Sequence, residues 1–92
     1  MGCEWDERKA RQNIAKHGVW FEYAARVFLD PRRLDAEDDR RDYRDQRRIT
    51  LGTMEGRLFA VAYTLRGKIV RLISARKTNE RERRKYDKAL ST

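Results

Sequence analysis

Apolar residues in the first third of the chain recur at helical spacing. Ala10, Ile14 and His17 share one face of a segment over Asp6–His17. Asp6 is placed as its N-cap, Trp5 precedes it as a staple toward Ala10, and Gly18 supplies a left-handed stop. Phe21, Ala24, Ala25 and Phe28 repeat the spacing and predict a second helix over Phe21–Leu29. Asp30-Pro31 ends it, because the residue before a proline avoids the α region.

The period then changes to that of strands. Arg47–Thr53 puts Ile49 and Leu51 on one face, and Leu58–Thr64 is almost wholly apolar or aromatic. Lys68–Ala75 sets Ile69 and Ile73 on one side against Val70 and Leu72 on the other. Met54-Glu-Gly-Arg57 and Leu65-Arg-Gly67 are short glycine-containing connectors, so antiparallel hairpins are predicted with Leu58–Thr64 at the centre. Residues 32–46 read as a solvated run of mixed charge (Asp35, Glu37, Asp38, Asp39, Arg40, Arg41, Asp42) around a short strand near Arg33–Ala36. Its acids look like surface, not metal ligands. Asn79 opens a last helix with Glu82 as its capping-box partner, and only Tyr86, Ala89 and Leu90 give that helix an apolar stripe. The order predicts one α+β domain over residues 1–92: two N-terminal helices, a four-stranded antiparallel meander and a C-terminal helix. Trp5, Phe21, Phe28, Phe59 and Ile73 are its expected core.

Composition sharpens this picture through charge. The 92 residues are 39% apolar and 41% charged, with a net charge of +8. Residues 66–88 alone hold ten Lys/Arg against three acids, Glu80, Glu82 and Asp87, while the other segments are close to balanced. A field so localised has a polyanion as its natural partner. Cys3 is the only cysteine, which precludes an intramolecular disulfide and fits a reducing compartment. No apolar run approaches the about 20 residues that span a bilayer, and no signal-peptide pattern precedes Trp5. A cytoplasmic protein with no membrane partner is expected.

Several chemistries fall away. One histidine, one cysteine and no spaced carboxylate pair do not make a zinc or two-metal centre. Ser74 and Ser91 have no triad to serve them, and phosphate-binding and dinucleotide fingerprints are absent from the sequence, so no cofactor is implied. A cationic surface with a few proton-moving residues remains. That set suits RNA cleavage by the RNA's own 2′-hydroxyl, which needs a base, an acid and cations around the pentavalent phosphate. Arginines on a strand and the following helix can clamp phosphate, and Tyr86 or Tyr63 can stack a splayed base.

Trp5-Asp6, Lys9-Ala10, Asn13 and Lys16-His-Gly-Val19, with Phe21, Ala24-Ala25, Val27-Phe28 and Asp30-Pro31, resemble the opening signature of the BrnT toxins of bacterial type II toxin–antitoxin systems. Arg47 and Gly52 match in spacing, and Arg71-Leu-Ile-Ser-Ala-Arg76 with Glu82-Arg83 and Tyr86 resembles the closing signature. The resemblance covers residues 5–31 and 47–86 in order. It implies a compact ribonuclease similar in fold to the RelE toxins, acting on RNA. It also implies neutralisation by a cognate BrnA-like antitoxin, which binds operator DNA. Gln46 stands where the family usually has glutamate, and Trp20 where a small capping residue is usual.

The expected reading is a metal-independent endoribonuclease toxin, with a non-catalytic nucleic-acid-binding or antitoxin-binding corepressor as the alternative. Arg47, Arg71 and Arg76 are the candidates for phosphate, with His17, Glu82 and Tyr86 for proton transfer or stacking. Lys77, Arg81, Arg83, Arg84 and Lys85 are the candidates for guiding RNA. Each has a structural counterpart. His17 can simply meet the last carbonyls of its helix, Arg47 can balance Asp42 and Asp45, Arg76 can pair with Glu82, and Tyr86 can dock the last helix. In a regular strand Arg71 and Arg76 would point to opposite faces, so they share a phosphate only if a bulge or the strand's end turns one of them.

Overall fold

Asp6 does open the first helix: its carboxylate accepts from the Arg8 amide at 2.7 Å, and helix α1 runs over Glu7–His17. Gly18 closes it at φ 71°, a conformation open to glycine, with its N–H bonded to the Ile14 carbonyl. The computed structural model describes residues 2–38 and 46–91. Asp39, Arg40, Arg41, Asp42 and Asp45, read above as part of a charged loop, lie outside those residues.

The second helical segment is shorter than its spacing predicts. Only Phe21–Ala24 is α-helical (α2), and Ala25–Leu29 tightens into a 3-10 turn. Trp20 sits at the N-cap of α2 and offers no side-chain cap bond. The missing cap and the coming proline leave little to sustain a longer helix.

The sheet has five strands rather than four, and it is mixed. Strands β1 (Gly2–Glu4), β2 (Leu34–Glu37), β3 (Arg47–Met54), β4 (Arg57–Arg66) and β5 (Ile69–Lys77) lie in the order β1-β5-β4-β3-β2. β2 to β5 form the expected antiparallel meander, whereas β1 pairs parallel to β5. Three residues show no period of their own, so β1 is invisible without its partner. Helix α3 spans Glu80–Leu90 with the full capping box of Asn79 and Glu82.

Each face of the sheet has its own cover. α1, α2 and the 3-10 turn lie over one face, burying Phe21, Val27, Phe59, Val61, Tyr63, Val70, Leu72 and Ala75. Gly52 makes this packing possible, since a Cβ there would come within 3.0 Å of the Val27 Cβ and carbonyl. α3 covers part of the other face, where Tyr86 packs with Leu51, Leu58 and Ala60. Of the expected core residues Phe21, Phe28 and Phe59 are buried and Trp5 packs at the margin, its ring edge-on to Phe21 at 6.0 Å. Ile73 is a correction: it is only half-buried, and Val70 and Leu72 fill the core from β5 instead.

The reason is a bulge. Tyr63 pairs with Leu72 and Ala62 with Ser74, so Ile73 is an extra residue on β5. Before it, the even positions Val70 and Leu72 face the helices; after it, Ala75 does.

Candidate active site

The bulge decides where the arginines go. Arg71 precedes it opposite the core-facing Val70 and Leu72, and Arg76 follows it opposite the core-facing Ala75. Both therefore project from the face that carries α3. Arg47 joins them, because on β3 it alternates in step with Ile49 and Leu51, which pack on that face.

Strand register arranges these side chains in rows. Arg47, Thr64 and Arg71 lie directly opposite one another on β3, β4 and β5. The two arginines are two strands apart, about 10 Å between their backbones, and Thr64 between them is buried. The next row is Ile49, Ala62 and Ser74, and the third is Leu51, Ala60 and Arg76. Small side chains at Ala60, Ala62 and Ser74 leave a shallow dip of about 40 Å³ beside Arg76. Arg76 is four β4 residues from the first row, about 13 Å along the strand. The result is a basic trough with a floor of small side chains.

Two carboxylates orient the arginines. Glu82 takes the Arg76 guanidinium in a fork, Nη1 to Oε1 at 2.7 Å and Nη2 to Oε2 at 2.8 Å. The same Glu82 carboxylate accepts the Asn79 amide at 3.0 Å, so the helix cap and the arginine clamp are one structure. Glu82 is thus placed as the partner of Arg76, with both oxygens engaged. Glu4 of β1, in register with Arg71, accepts from its Nη1 at 3.3 Å. β1 carried no sequence signal, and Glu4 was therefore missed.

The remaining candidates are spread over other parts of the fold. Tyr86 is 5% exposed and donates to Asp30 Oδ2 at 2.6 Å, so stacking a base on its ring would require α3 to lift. Burial and this bond both push the Tyr86 hydroxyl above its ordinary pKa. Tyr63 is 3% exposed, lies on the helix-covered face edge-on to Phe28 at 4.9 Å, and donates to Asp35. His17 ends α1, in the layer on the opposite side of the sheet from the trough. Lys77 also faces the helices, across from Phe59. Arg81, Arg83, Arg84 and Lys85 are exposed on α3, with Arg84 bonded to Glu80 at 2.9 Å.

Two residues without a predicted role hold the scaffold. Asp30, read only as a helix stop, accepts from Tyr86 and from both the amide and hydroxyl of Thr53, at 2.9 and 3.0 Å for the latter two. Burial raises its pKa, but these bonds and one from the Arg32 amide outweigh it and hold the carboxyl below its ordinary range. Asn13 is buried, and its amide donates to the Val19 carbonyl at 2.9 Å. It also donates to the Ala75 carbonyl at 2.8 Å and accepts the Ala75 amide at 2.9 Å. It satisfies the edge of β5 beyond the point where β1 stops. Its only sequence signal was its place in the opening signature.

Among the described residues no three of His, Cys, Asp and Glu gather as metal ligands, and no helix is long and apolar enough to cross a membrane. The family model for the ribonuclease toxin BrnT of type II toxin–antitoxin systems matches residues 5–82. No curated protein matches the chain.

Proposed function

The chain belongs to the BrnT family of ribonuclease toxins of type II toxin–antitoxin systems, and we propose that it is an endoribonuclease needing no metal, with the Arg47–Arg71–Arg76 trough as its phosphate site. The observation that carries this reading is the bulge at Ile73, which brings Arg71 and Arg76 to the face that Arg47 shares, over a floor of small side chains. Family membership supports the class of reaction, a ribonuclease with an antitoxin partner; the trough supports the place.

The chemistry assigned to the trough is transesterification. The 2′-oxygen bonds to the adjacent phosphorus, the bond from phosphorus to the 5′-oxygen breaks, a base takes the 2′ proton and the 5′-oxygen gains one. The products are a 2′,3′-cyclic phosphate and a free 5′-hydroxyl. The phosphorane carries more negative charge than the ground state, and fixed guanidiniums favour it without reorganising. Arg47 and Arg71 flank one phosphate, and Arg76 meets the strand further along. Glu82 positions Arg76. His17 and Tyr86 support the helix layers in this reading, with proton transfer left to water in the trough. Arg81, Arg83, Arg84 and Lys85 draw the RNA in by their field. A BrnA-like antitoxin covers part of this basic surface and links the toxin to operator DNA.

Incubation of purified protein with RNA in excess EDTA tests the proposal. Cleavage to 2′,3′-cyclic ends is expected. RNA that is retarded but intact would favour the alternative, a binding module without catalysis.

A further inference from the structure

A larger groove lies on the other side of the sheet, about 530 Å³ in volume, at the end where β5 finishes. Its walls are Trp20, Tyr23 and Phe59, and Arg26, Arg57 and Lys77 line it with Glu22. Trp20 is 59% exposed, an indole that the fold leaves in water beside a wall already in place. The Tyr23 ring is held edge-on to Phe59 at 5.7 Å, and its hydroxyl donates to Glu55 at 3.1 Å.

Besides the Glu22 carboxylate, the charges at the groove divide into two sets. Glu55 stands 4.0 Å from Arg26, a pair exposed enough to be mostly screened. Arg57, two residues before Phe59 on β4, and Lys77, opposite Phe59 on β5, form no ion pair among the described residues. A flat aromatic surface next to two such cations is complementary to a nucleotide, base on the ring and phosphate on the cations. A purely apolar ligand would leave both charges facing it.

The position relates the groove to the trough. Arg76 and Lys77 are consecutive on β5 and, by strand alternation, project to opposite faces. A single strand held at Arg76 therefore needs only to turn around the end of β5 to reach Lys77. We infer that the Trp20 groove is a second nucleotide subsite, stacking one base of single-stranded RNA a few nucleotides from the phosphate bound at Arg76. This inference rests on the ribonuclease reading, and it assigns Trp20, Tyr23, Arg57 and Lys77 to substrate length and affinity rather than to bond breaking.

The test uses the whole protein and 2′-O-methyl oligouridylate, which binds as RNA but has no free 2′-hydroxyl to react. An octamer is expected to quench the fluorescence of the wild type and not that of Trp20→Phe, whose only indole is the half-buried Trp5. Arg57→Ala and Lys77→Ala together should weaken octamer binding about tenfold or more, the scale of one stacked, charge-held base. Binding by anisotropy with no Trp20 quench would overturn the groove while leaving RNA binding in the trough intact. No binding at all would overturn both. Quenching by an antitoxin but not by the octamer would also overturn it, making the groove a protein contact.

Discussion

Arg71 and Arg76 project from the same face of β5 although five positions separate them. The extra residue Ile73, inserted between the pairs Tyr63–Leu72 and Ala62–Ser74, reverses the alternation once. A bulge re-aims side chains at the cost of one ladder position, and here it puts Arg76 on the face that carries the row of Arg47, Thr64 and Arg71. The face that the three arginines share thus depends on one irregularity in an otherwise regular hairpin.

These arginines should couple according to their spacing. Arg47 and Arg71 flank one position, so Arg47→Ala and Arg71→Ala should each lower kcat/KM about 10- to 100-fold, the scale of a lost charge-assisted contact. If both address one phosphate, the double variant should lose less than the product of the two. Arg76→Ala combined with Arg71→Ala should be close to multiplicative, since about 13 Å of strand separates them. Strict independence of Arg47 and Arg71 would argue against a shared phosphate.

Glu82 separates positioning from proton transfer. Glu82→Ala removes the fork on Arg76 and half of the capping box, and should cost about 1–3 kcal/mol of stability together with most activity. Glu82→Gln keeps one acceptor oxygen and should recover a clear part of the activity, with the pH dependence of kcat unchanged in shape. Loss of the acidic limb of that profile in Glu82→Gln would instead make Glu82 the base.

How far the sequence revealed this protein can be judged at single residues. Asp6, Gly18, Asn79 and Glu82 were legible because caps act within a few residues of chain. Leu58–Thr64 was legible because a central strand is apolar on both sides. β1 was not, since Gly2–Glu4 becomes a strand only by pairing with Ile69–Arg71, a contact across the whole chain. Ile73 was misplaced for a related reason: alternation sets Ile69 and Ile73 against Val70 and Leu72 without saying which face the helices cover, and a bulge is a property of two strands together. The trough was half visible, because its cations are local in sequence while their common face is not.

Salt should report how many α3 cations meet the RNA. Affinity for single strands falls with a logarithmic slope of about −0.7 for each phosphate neutralised. Replacing Arg81 and Lys85 together with Gln should therefore reduce the slope by about 1.4 if both meet phosphates, with kcat unaffected for bound RNA. An unchanged slope would show that the helix does not touch the substrate. The measurement is a titration of non-cleavable RNA at several salt concentrations.

Asp30 makes stability depend on acid. Its folded pKa is lowered, by hydrogen bonds that outweigh burial. The contribution is therefore complete above the unfolded value of about 3.9 and is lost as pH falls through the lower folded value. Asp30→Asn should be less stable than the wild type at pH 7, with the gap closing as the pH falls below about 4. Urea unfolding at pH 7, 5, 4 and 3 measures the gap directly. A gap that does not change with pH would assign the loss to packing rather than to the charge that Tyr86 and Thr53 hold.

Asn13 provides the sharpest test of the scaffold, because each of its polar atoms has a backbone partner. Its carbonyl accepts the Ala75 amide, and its amide serves the carbonyls of Ala75 and Val19. Asn13→Ala would strand these buried groups, each costing about 1–3 kcal/mol when left unpaired, so a loss of about 3 kcal/mol or more is expected. Asn13→Asp is nearly the same size and keeps an acceptor for the Ala75 amide, yet it sets a carboxylate against two carbonyl oxygens. It should therefore rescue little, which a packing role alone would not predict. Arg76 lies one residue beyond Ala75, so any folded fraction of either variant should also show a raised KM for RNA. Thermal or urea unfolding checks the first effect and steady-state cleavage the second. An Asn13→Ala protein as stable as the wild type would mean that the end of β5 is held by something other than this side chain.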